Sequence, residues 1–233
     1  MSKIRNKAFF FIVAFLIILD QATKLYFKGF NFFGIDHQGL DYGDLVPVIG
    51  DFVQFTYILN PGMAFGAVFI PKIILSLFSI FAAIALAIFL SKLDKNINLW
   101  VKIAIMLILA GASGNLIDRV FYGVIFNETP YIPGMNPVDK FVFTDLLSGF
   151  PLFYGKVVDF IQVDIPDINF LGLYYTHWPV FNVADSCVSV GIVILIFVHN
   201  KLPSLNEVFG ERKNKKSSKN KDITKEMAVE RNE

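Results

Sequence analysis

The feature that most limits the fold of this chain is a set of long apolar runs. Residues 73–90 contain eighteen consecutive uncharged residues, enough for a helix to cross the hydrocarbon core of a bilayer. Apolar residues make up 55% of the whole chain, which is the balance of a membrane protein. We therefore expect an α-helical integral membrane protein with four transmembrane helices, at about residues 8–28, 72–91, 99–120 and 179–199.

The first polar stretch, residues 29–70, is predicted to be a small β-rich extracytoplasmic segment. It has no Lys or Arg, and its apolar residues alternate around Val46–Ile49 and Phe52–Ile58. It ends in a turn sequence that contains Asn60 and Gly62, where glycine permits a close approach of the backbone. An exposed turn is the simplest interpretation of Asn60 taken alone.

The second polar stretch, residues 121–178, is too long for a simple connection between helices, so we expect ordered pieces within it. Near its end, residues 157–163 read as apolar strand residues around one acid, Asp159. Taken alone, Asp159 would be an ordinary loop carboxylate.

The distribution of Lys and Arg predicts the orientation of the chain. Basic residues lie at the amino terminus, in the short loop at 91–98 and in the tail, while the two long polar stretches hold few. By the positive-inside rule, both termini face the cytoplasm. We expect one membrane-embedded domain over residues 1–200 and a charged cytoplasmic tail over 201–233 that is disordered. The first apolar run also resembles a cleavable leader, but it lacks a small-x-small cleavage site and is interpreted as an uncleaved span.

Acidic residues gather at the predicted outer ends of the spans. A carboxylate at membrane depth costs about 2.5–3.5 kcal/mol on insertion scales, so it usually has a partner and a function. Asp20 and Lys24 are one helical turn apart and can pair. Asp159 and Asp185 have no obvious cation, and two close carboxyl groups hold one proton between them near neutral pH. Such a pair can activate a water molecule while donating a proton to a carbonyl oxygen.

Three further polar residues share one face of the third predicted span, namely Asn115, Asp118 and Arg119. Support of the acidic site is one interpretation, and a simple Asp118–Arg119 ion pair at the membrane boundary is the other. Asn182 precedes Asp185 by three residues and is placed to orient that acid on the fourth helix.

Other chemistries find little support in the residues. The single cysteine, Cys187, lies inside a predicted span and has no nearby histidine, so it is interpreted as a packing residue. No His-Glu-x-x-His element is present, and no metal or other cofactor is expected. A formal net charge of +1 makes nucleic acid an unlikely partner.

The motifs together resemble those of lipoprotein signal peptidase, or signal peptidase II, a family of four-helix bacterial inner-membrane aspartic peptidases. The matching motifs, in chain order, are Asp20-x-x-x-Lys24, Asn60-x-Gly62, Asn115-x-x-Asp118-Arg119, Val-Val-Asp159-Phe and Asn182-x-Ala-Asp185. Each is weak alone, but together they cover most of residues 8–199.

The resemblance implies that the chain removes the signal peptide of a diacylglyceryl-modified prolipoprotein, just before the lipidated cysteine. By motif it makes Asp159 and Asp185 the catalytic pair, at a site near the outer leaflet. It makes the other motif residues substrate-binding or site-supporting, namely Asp20, Lys24, Asn60, Gly62, Asn115, Asp118, Arg119 and Asn182. We expect a monomer in contact with membrane lipid.

One departure from the family pattern and two rival functions remain open at this point. Asp118 and Asp159 are separated by an insertion of about thirty residues, which puts in question the shape of the substrate entrance. A proton-coupled transporter would also place acids in membrane spans. A membrane scaffold without enzymatic activity would tolerate Asp-to-Asn changes at both acidic positions.

Overall fold

The structure of the chain is a computed structural model, and it describes the following residues: 2–32, 34–61, 72–94, 96–126, 152–153, 155–170 and 173–209. The predicted site residue Gly62, most of the insertion and the tail beyond residue 209 lie outside the described residues. The disorder predicted for residues 201–233 is wrong for residues 205–209, which form a short helix with Val208 buried, and it stays a prediction beyond residue 209.

The main helices follow the apolar runs of the sequence. Their bounds are α1 Ser2–Lys28, α2 Lys72–Lys92, α3 Leu99–Ile117, α4 Gly123–Ile125, α5 Val183–Phe197 and α6 Leu205–Phe209. A π-helical turn, Asp118–Tyr122, joins α3 to α4, and we call it the π-turn. The helix α5 begins later than the predicted span, because Asn182 caps its amino terminus instead of lying within it.

The described residues of the polar stretches form two antiparallel sheets. The strands are β1 Phe30–Phe32, β2 Ile35–His37, β3 Val46–Ile49, β4 Val53–Asn60, β5 Val157–Phe170 and β6 Leu173–His177. β1 pairs with β2, and the larger sheet has the order β3-β4-β5-β6. The predicted β-rich character of residues 29–70 and of the region around Asp159 is confirmed. Within residues 29–70 the individual strands β1 and β2 were not predicted, and neither was β6. The pairing of β4 with β5 brings the two polar stretches together.

The helices present large apolar side chains to their surroundings. Phe11 and Phe81, for example, are 76% and 73% exposed. By length and composition, Lys7–Lys28 and Leu99–Ile125 can each cross a membrane. Residues 183–209 qualify only as a bent pair of helices, at an angle of 76°, and the apolar part of α2 is shorter, Ser76–Lys92. The chain is thus a membrane protein with two or three clear spans in its described part, and the count of four stays a prediction.

Small residues let α3 and α5 pack closely. A Cβ atom at Gly111 would collide with the backbone oxygen of Ala184, and one at Gly191 would lie 2.9 Å from the backbone oxygen of Ala104. Without a hydrophobic drive between helices in lipid, such close backbone approach is the usual basis of their association. This packing holds the start of α5 against the carboxyl-terminal end of α3, where the polar residues lie.

An apolar cluster joins the larger sheet to the end of the helices that carries the polar residues. Its buried members are Tyr57, Leu59, Tyr122, Phe126 and Val158, which come from β4, the π-turn, the end of α4 and β5. α1 ends at Lys28, and the next residue, Gly29, has a φ of 83°, which favours glycine. The amide of Gly29 donates to the carbonyl of Leu25. The sheet therefore lies directly over the polar ends of α1, α3 and α5.

Candidate active site

Lys24 is the cation of a fully buried polar cluster. Its Nζ lies 2.8 Å from an oxygen of Asp20, one turn away on α1, and 2.9 Å from an oxygen of Asp118. It also donates to Oδ1 of Asn115 at 2.9 Å. The predicted Asp20–Lys24 pair is confirmed, and the alternative ion pair of Asp118 with Arg119 is replaced by the pair with Lys24. One lysine therefore connects α1 to the carboxyl-terminal end of α3.

Gln21 completes this cluster, and sequence reasoning missed it. Its Nε2 donates to Oδ1 of Asp118 at 2.9 Å and to the carbonyl of Gly114 at 3.1 Å, while its Oε1 accepts from Tyr122. An amide side chain beside Asp20 in an otherwise apolar span was the available signal. Gln21 fixes the carboxylate of Asp118 from the side opposite to the lysine.

Asn182 links the two acids that were predicted as a pair. As the N-cap of α5, it forms a reciprocal capping box with Asp185: its Oδ1 accepts from the amide of Asp185 at 2.9 Å, and its own amide donates to Oδ2 of Asp185 at 3.2 Å. Its Nδ2 meanwhile donates to Oδ1 of Asp159 at 2.7 Å. The expectation that Asn182 orients Asp185 is confirmed, although the residue acts from the cap.

Asn115 performs a parallel function from α3. Its Nδ2 donates to Oδ1 of Asp185 at 2.7 Å, and its Oδ1 accepts from both Lys24 and Asn182. The side chain thus connects the charged cluster around Lys24 with the two-acid site. Asp20 adds a second connection, because its Oδ1 accepts from the backbone amide of Ala184 in the first turn of α5.

Asp159 is carried to the same place by the sheet. It lies opposite Ile58 in the β4–β5 pairing, and Asn60, at the end of β4, donates to its Oδ2 at 2.9 Å. A further pair of backbone hydrogen bonds joins Ile161 to Phe181, immediately before the cap of α5. Asn60 is therefore a partner of Asp159, and Asp159 is a strand residue instead of an ordinary loop carboxylate.

Burial gives Asp159 unusual acid–base properties. The side chain is only 2% exposed, and burial, with the neighbouring charge of Asp185, raises the pKa of Asp159 from 3.8 to about 7. The hydrogen bonds from Asn60 and Asn182 act in the opposite direction, because they stabilise the charged form. Near neutral pH this carboxyl group is poised to exchange a proton.

Arg119 lies near the acids and contacts α2. Its Nη1 donates to the hydroxyl of Ser79 on α2 at 3.1 Å, and its guanidinium interacts electrostatically with Asp185. Its Nε is buried and has no hydrogen-bond partner among the described residues. Ser79 was missed by sequence reasoning, since a lone serine within the apolar run of α2 gave no distinctive signal.

The described structure brings together every predicted site residue except Gly62. These residues come from α1, β4, α3, the π-turn, β5 and the start of α5, so the site forms only when the sheet and the helices meet. A pair of carboxyl groups joined through one amide, with one of them titrating near neutrality, can act as general acid and general base on a single water molecule. Among the described residues, no group of three or more His, Cys, Asp or Glu side chains forms a metal-binding cluster.

A comparison with known protein families finds a match to most of the chain. The family model for signal peptidase (SPase) II matches residues 12–200, which include all of the site residues above.

Several curated relatives are named lipoprotein signal peptidase. The protein of Amoebophilus asiaticus is 31% identical over 202 residues, which are 81% of this chain and 75% of that protein. The protein of Pelodictyon phaeoclathratiforme is 31% identical over 84% of this chain and 92% of its own length. That of Leptospira biflexa is 37% identical over 65% of this chain and 72% of its own length.

Two solved structures, both described as bacterial membrane enzymes determined by the in meso method, share the fold. The structure at 2.3 Å resolution has a TM-score of 0.52 and 25% identity, and covers 88% of this chain and 93% of that chain. The structure at 1.9 Å resolution has the same TM-score with 28% identity, over 84% of this chain and 95% of that one.

Proposed function

The chain belongs to the signal peptidase II family and is a membrane protease, and we propose that it removes signal peptides from diacylglyceryl-modified prolipoproteins. Cleavage falls just before the lipidated cysteine. The name lipoprotein signal peptidase, shared by its curated relatives, supports prolipoproteins as the substrate class. The observation that carries the mechanism is the placement of Asn182, which is hydrogen-bonded to both Asp159 and Asp185.

In the proposed mechanism, the two acids divide the work of peptide hydrolysis. Asp185 lies in the first turn of α5, where it accepts from Asn115 and from the amide of Asn182, and where the helix amino terminus favours negative charge. It takes a proton from the attacking water. Asp159, whose pKa is about 7, donates a proton to the carbonyl oxygen of the scissile bond. When the resulting tetrahedral intermediate collapses, Asp185 gives its proton to the leaving amine as the C–N bond breaks, and Asp159 regains a proton from the former carbonyl oxygen. None of these steps requires a metal ion.

The site also has a proposed position in the membrane. It lies at one end of the helices, and the sheet covers that end, so we place it near the outer leaflet of the bacterial inner membrane. The chain then crosses the bilayer four times, with both termini in the cytoplasm, as the distribution of basic residues predicts. We further propose that the enzyme functions as a monomer surrounded by membrane lipid.

Cleavage of a purified, diacylglyceryl-modified prolipoprotein tests the proposal. The wild-type protein is compared with Asp159→Asn and Asp185→Asn, all in the presence of a chelator. Asp164→Asn is the matched control, because Asp164 lies on the same strand, β5, and is exposed. We expect cleavage by the wild type and the control, and none by the two other variants.

Each contrary result has a defined meaning. Cleavage by Asp159→Asn or Asp185→Asn would refute the two-aspartate mechanism. Loss of activity in the chelator would also refute it in its metal-free form. Absence of cleavage by folded wild-type protein would refute the substrate assignment, and flux measurements in proteoliposomes would then test the transporter alternative.

A further inference from the structure

Backbone carbonyl groups of the π-turn at the end of α3 accept hydrogen bonds from residues that lie just before β5. In a π-helical turn the hydrogen-bond spacing is wider than in an α-helix, and such turns are frequent at functional sites. Here the carbonyl of Val120 accepts from the amide of Phe153 at 3.2 Å, and that of Arg119 accepts from the amide of Gly155 at 3.0 Å. Phe153 and Gly155 are therefore bound to the same turn that carries Asp118 and Arg119. We call these two residues, with Lys156, the entering segment, because they lead into β5.

Phe153 shows how tightly this entering segment is held. Its φ of 74° is an outlier for a bulky residue, a conformation that persists only where surrounding contacts enforce it. Its amide is bound to the π-turn, and its carbonyl accepts from the hydroxyl of Ser76 on α2 at 3.3 Å. The segment thus touches α2 and the π-turn at once.

Gly155 is the residue at which the entering segment comes closest to the backbone of the π-turn. A Cβ atom added there would collide with the carbonyl oxygen of Asp118, and would also lie 3.0 Å from the amide nitrogen of Gly123. Both atoms belong to helix backbone, so neither can move aside cheaply. Any other residue at this position would push the entering segment away from the π-turn.

The displacement would reach the candidate active site within a few residues. Val158, three positions further on, donates its amide to Oδ2 of Asp118 at 3.2 Å, and its carbonyl accepts from Nδ2 of Asn182. Asp159 follows directly. The backbone from Gly155 to Asp159 is therefore attached at its beginning to the π-turn and at its end to Asp118 and the cap of α5.

We propose that Gly155 is a positioning residue for the two-aspartate site: by letting the backbone rest on the π-turn, it sets the place of Asp159 against Asp118 and Asn182. The inference rests on the proposed function of Asp159. It assigns to Gly155 an effect on the chemical step and not on substrate binding, since Gly155 acts through the strand.

The test compares Gly155→Ala with Gly43→Ala and with wild type. Gly43 is a suitable control because its φ of +84° makes alanine strained there, whereas nothing lies within 4 Å of the added carbon. For Gly155→Ala we expect kcat to fall by about 10- to 100-fold with KM nearly unchanged, as for other small misplacements of reacting groups. The pH profile of kcat should also shift, because Asp159 is no longer held in its buried position. Gly43→Ala should keep the kcat and pH profile of the wild type.

Two results would overturn the inference. The first is a folded Gly155→Ala enzyme with wild-type kcat and pH profile, while Asp159→Asn is inactive; this outcome leaves the proposed function intact. The second concerns wild-type protein and covers the case in which Gly155→Ala does not fold. Amide hydrogen exchange should be slow at Phe153, Gly155 and Val158, and rapid exchange at Gly155 would show that it does not rest on the π-turn. Activity in Asp159→Asn would instead refute the proposed function itself.

Discussion

Replacement of Lys24 by methionine tests whether the buried charge cluster holds the membrane helices together. Lys24 is 0% exposed, and its Nζ lies 2.8 and 2.9 Å from oxygens of Asp20 and Asp118. Methionine has a similar length and no charge, so the change removes the cation without leaving a large cavity. It leaves two buried carboxylates side by side.

The expected loss of stability in Lys24→Met follows from these distances. At an effective dielectric constant of about 20, opposite unit charges 2.9 Å apart attract by about 6 kcal/mol, which offsets the several kcal/mol that desolvation of each ion costs. Removal of one partner from a buried pair typically costs about 3–5 kcal/mol, since the structure relaxes around the remaining charge. We expect Lys24→Met to lower the free energy of unfolding by this amount.

The measurement is reversible unfolding of the detergent-solubilised protein, followed by circular dichroism. The control is Lys7→Met on the same helix, because Lys7 is exposed and its replacement should change stability by no more than about 0.5 kcal/mol. In the double variant Lys24→Met/Asp118→Asn, part of the loss should return, with a coupling energy of about 1–3 kcal/mol. Equal stability of Lys24→Met and Lys7→Met, or strict additivity in the double variant, would refute the reasoning.

Three further outcomes are expected. The pKa of Asp159 is raised from 3.8 to about 7, so the folded state binds this proton more tightly than the unfolded state. The free energy of unfolding should therefore fall as pH rises from about 4 to about 7. Asp159→Asn should reduce the slope of this pH dependence. Gly111→Ala should destabilise the protein by about 1–3 kcal/mol in detergent unfolding, because the added methyl group overpacks against Ala184. Asn182→Ala should lose about 1 kcal/mol of cap stability, and its cleavage activity should fall by more than about tenfold; wild-type activity would show that the link between the acids is dispensable.

Much of the candidate site could be predicted from local sequence pattern. Asp20 and Lys24 are one helical turn apart in an apolar run, so their pairing follows from helix geometry alone. The strands around Val46, Phe55 and Asp159 follow from alternating apolar residues. In these cases a short segment contains the whole signal.

What could not be predicted depends on contacts between distant segments. The hydrogen bonds of Asn60 to Asp159 and of Gln21 to Asp118 require the register of β4 on β5 and the packing of α1 on α3. The extra residue of the π-turn has no local sequence signature, and its presence brings the carbonyl of Arg119 to Gly155. Asn182 could be recognised as a partner of Asp185, but its reach to Asp159 depends on the bridge between Ile161 and Phe181.

The pairing of Lys24 with two aspartates has a consequence for the biogenesis of the protein. During synthesis α1 enters the membrane before α3 exists, so Asp118 is then absent. Asp20, on the same helix and one turn away, is already present and can neutralise the lysine on its own. The nascent helix therefore enters the bilayer as a locally compensated segment, and the arrival of α3 converts this temporary pair into the permanent three-residue cluster.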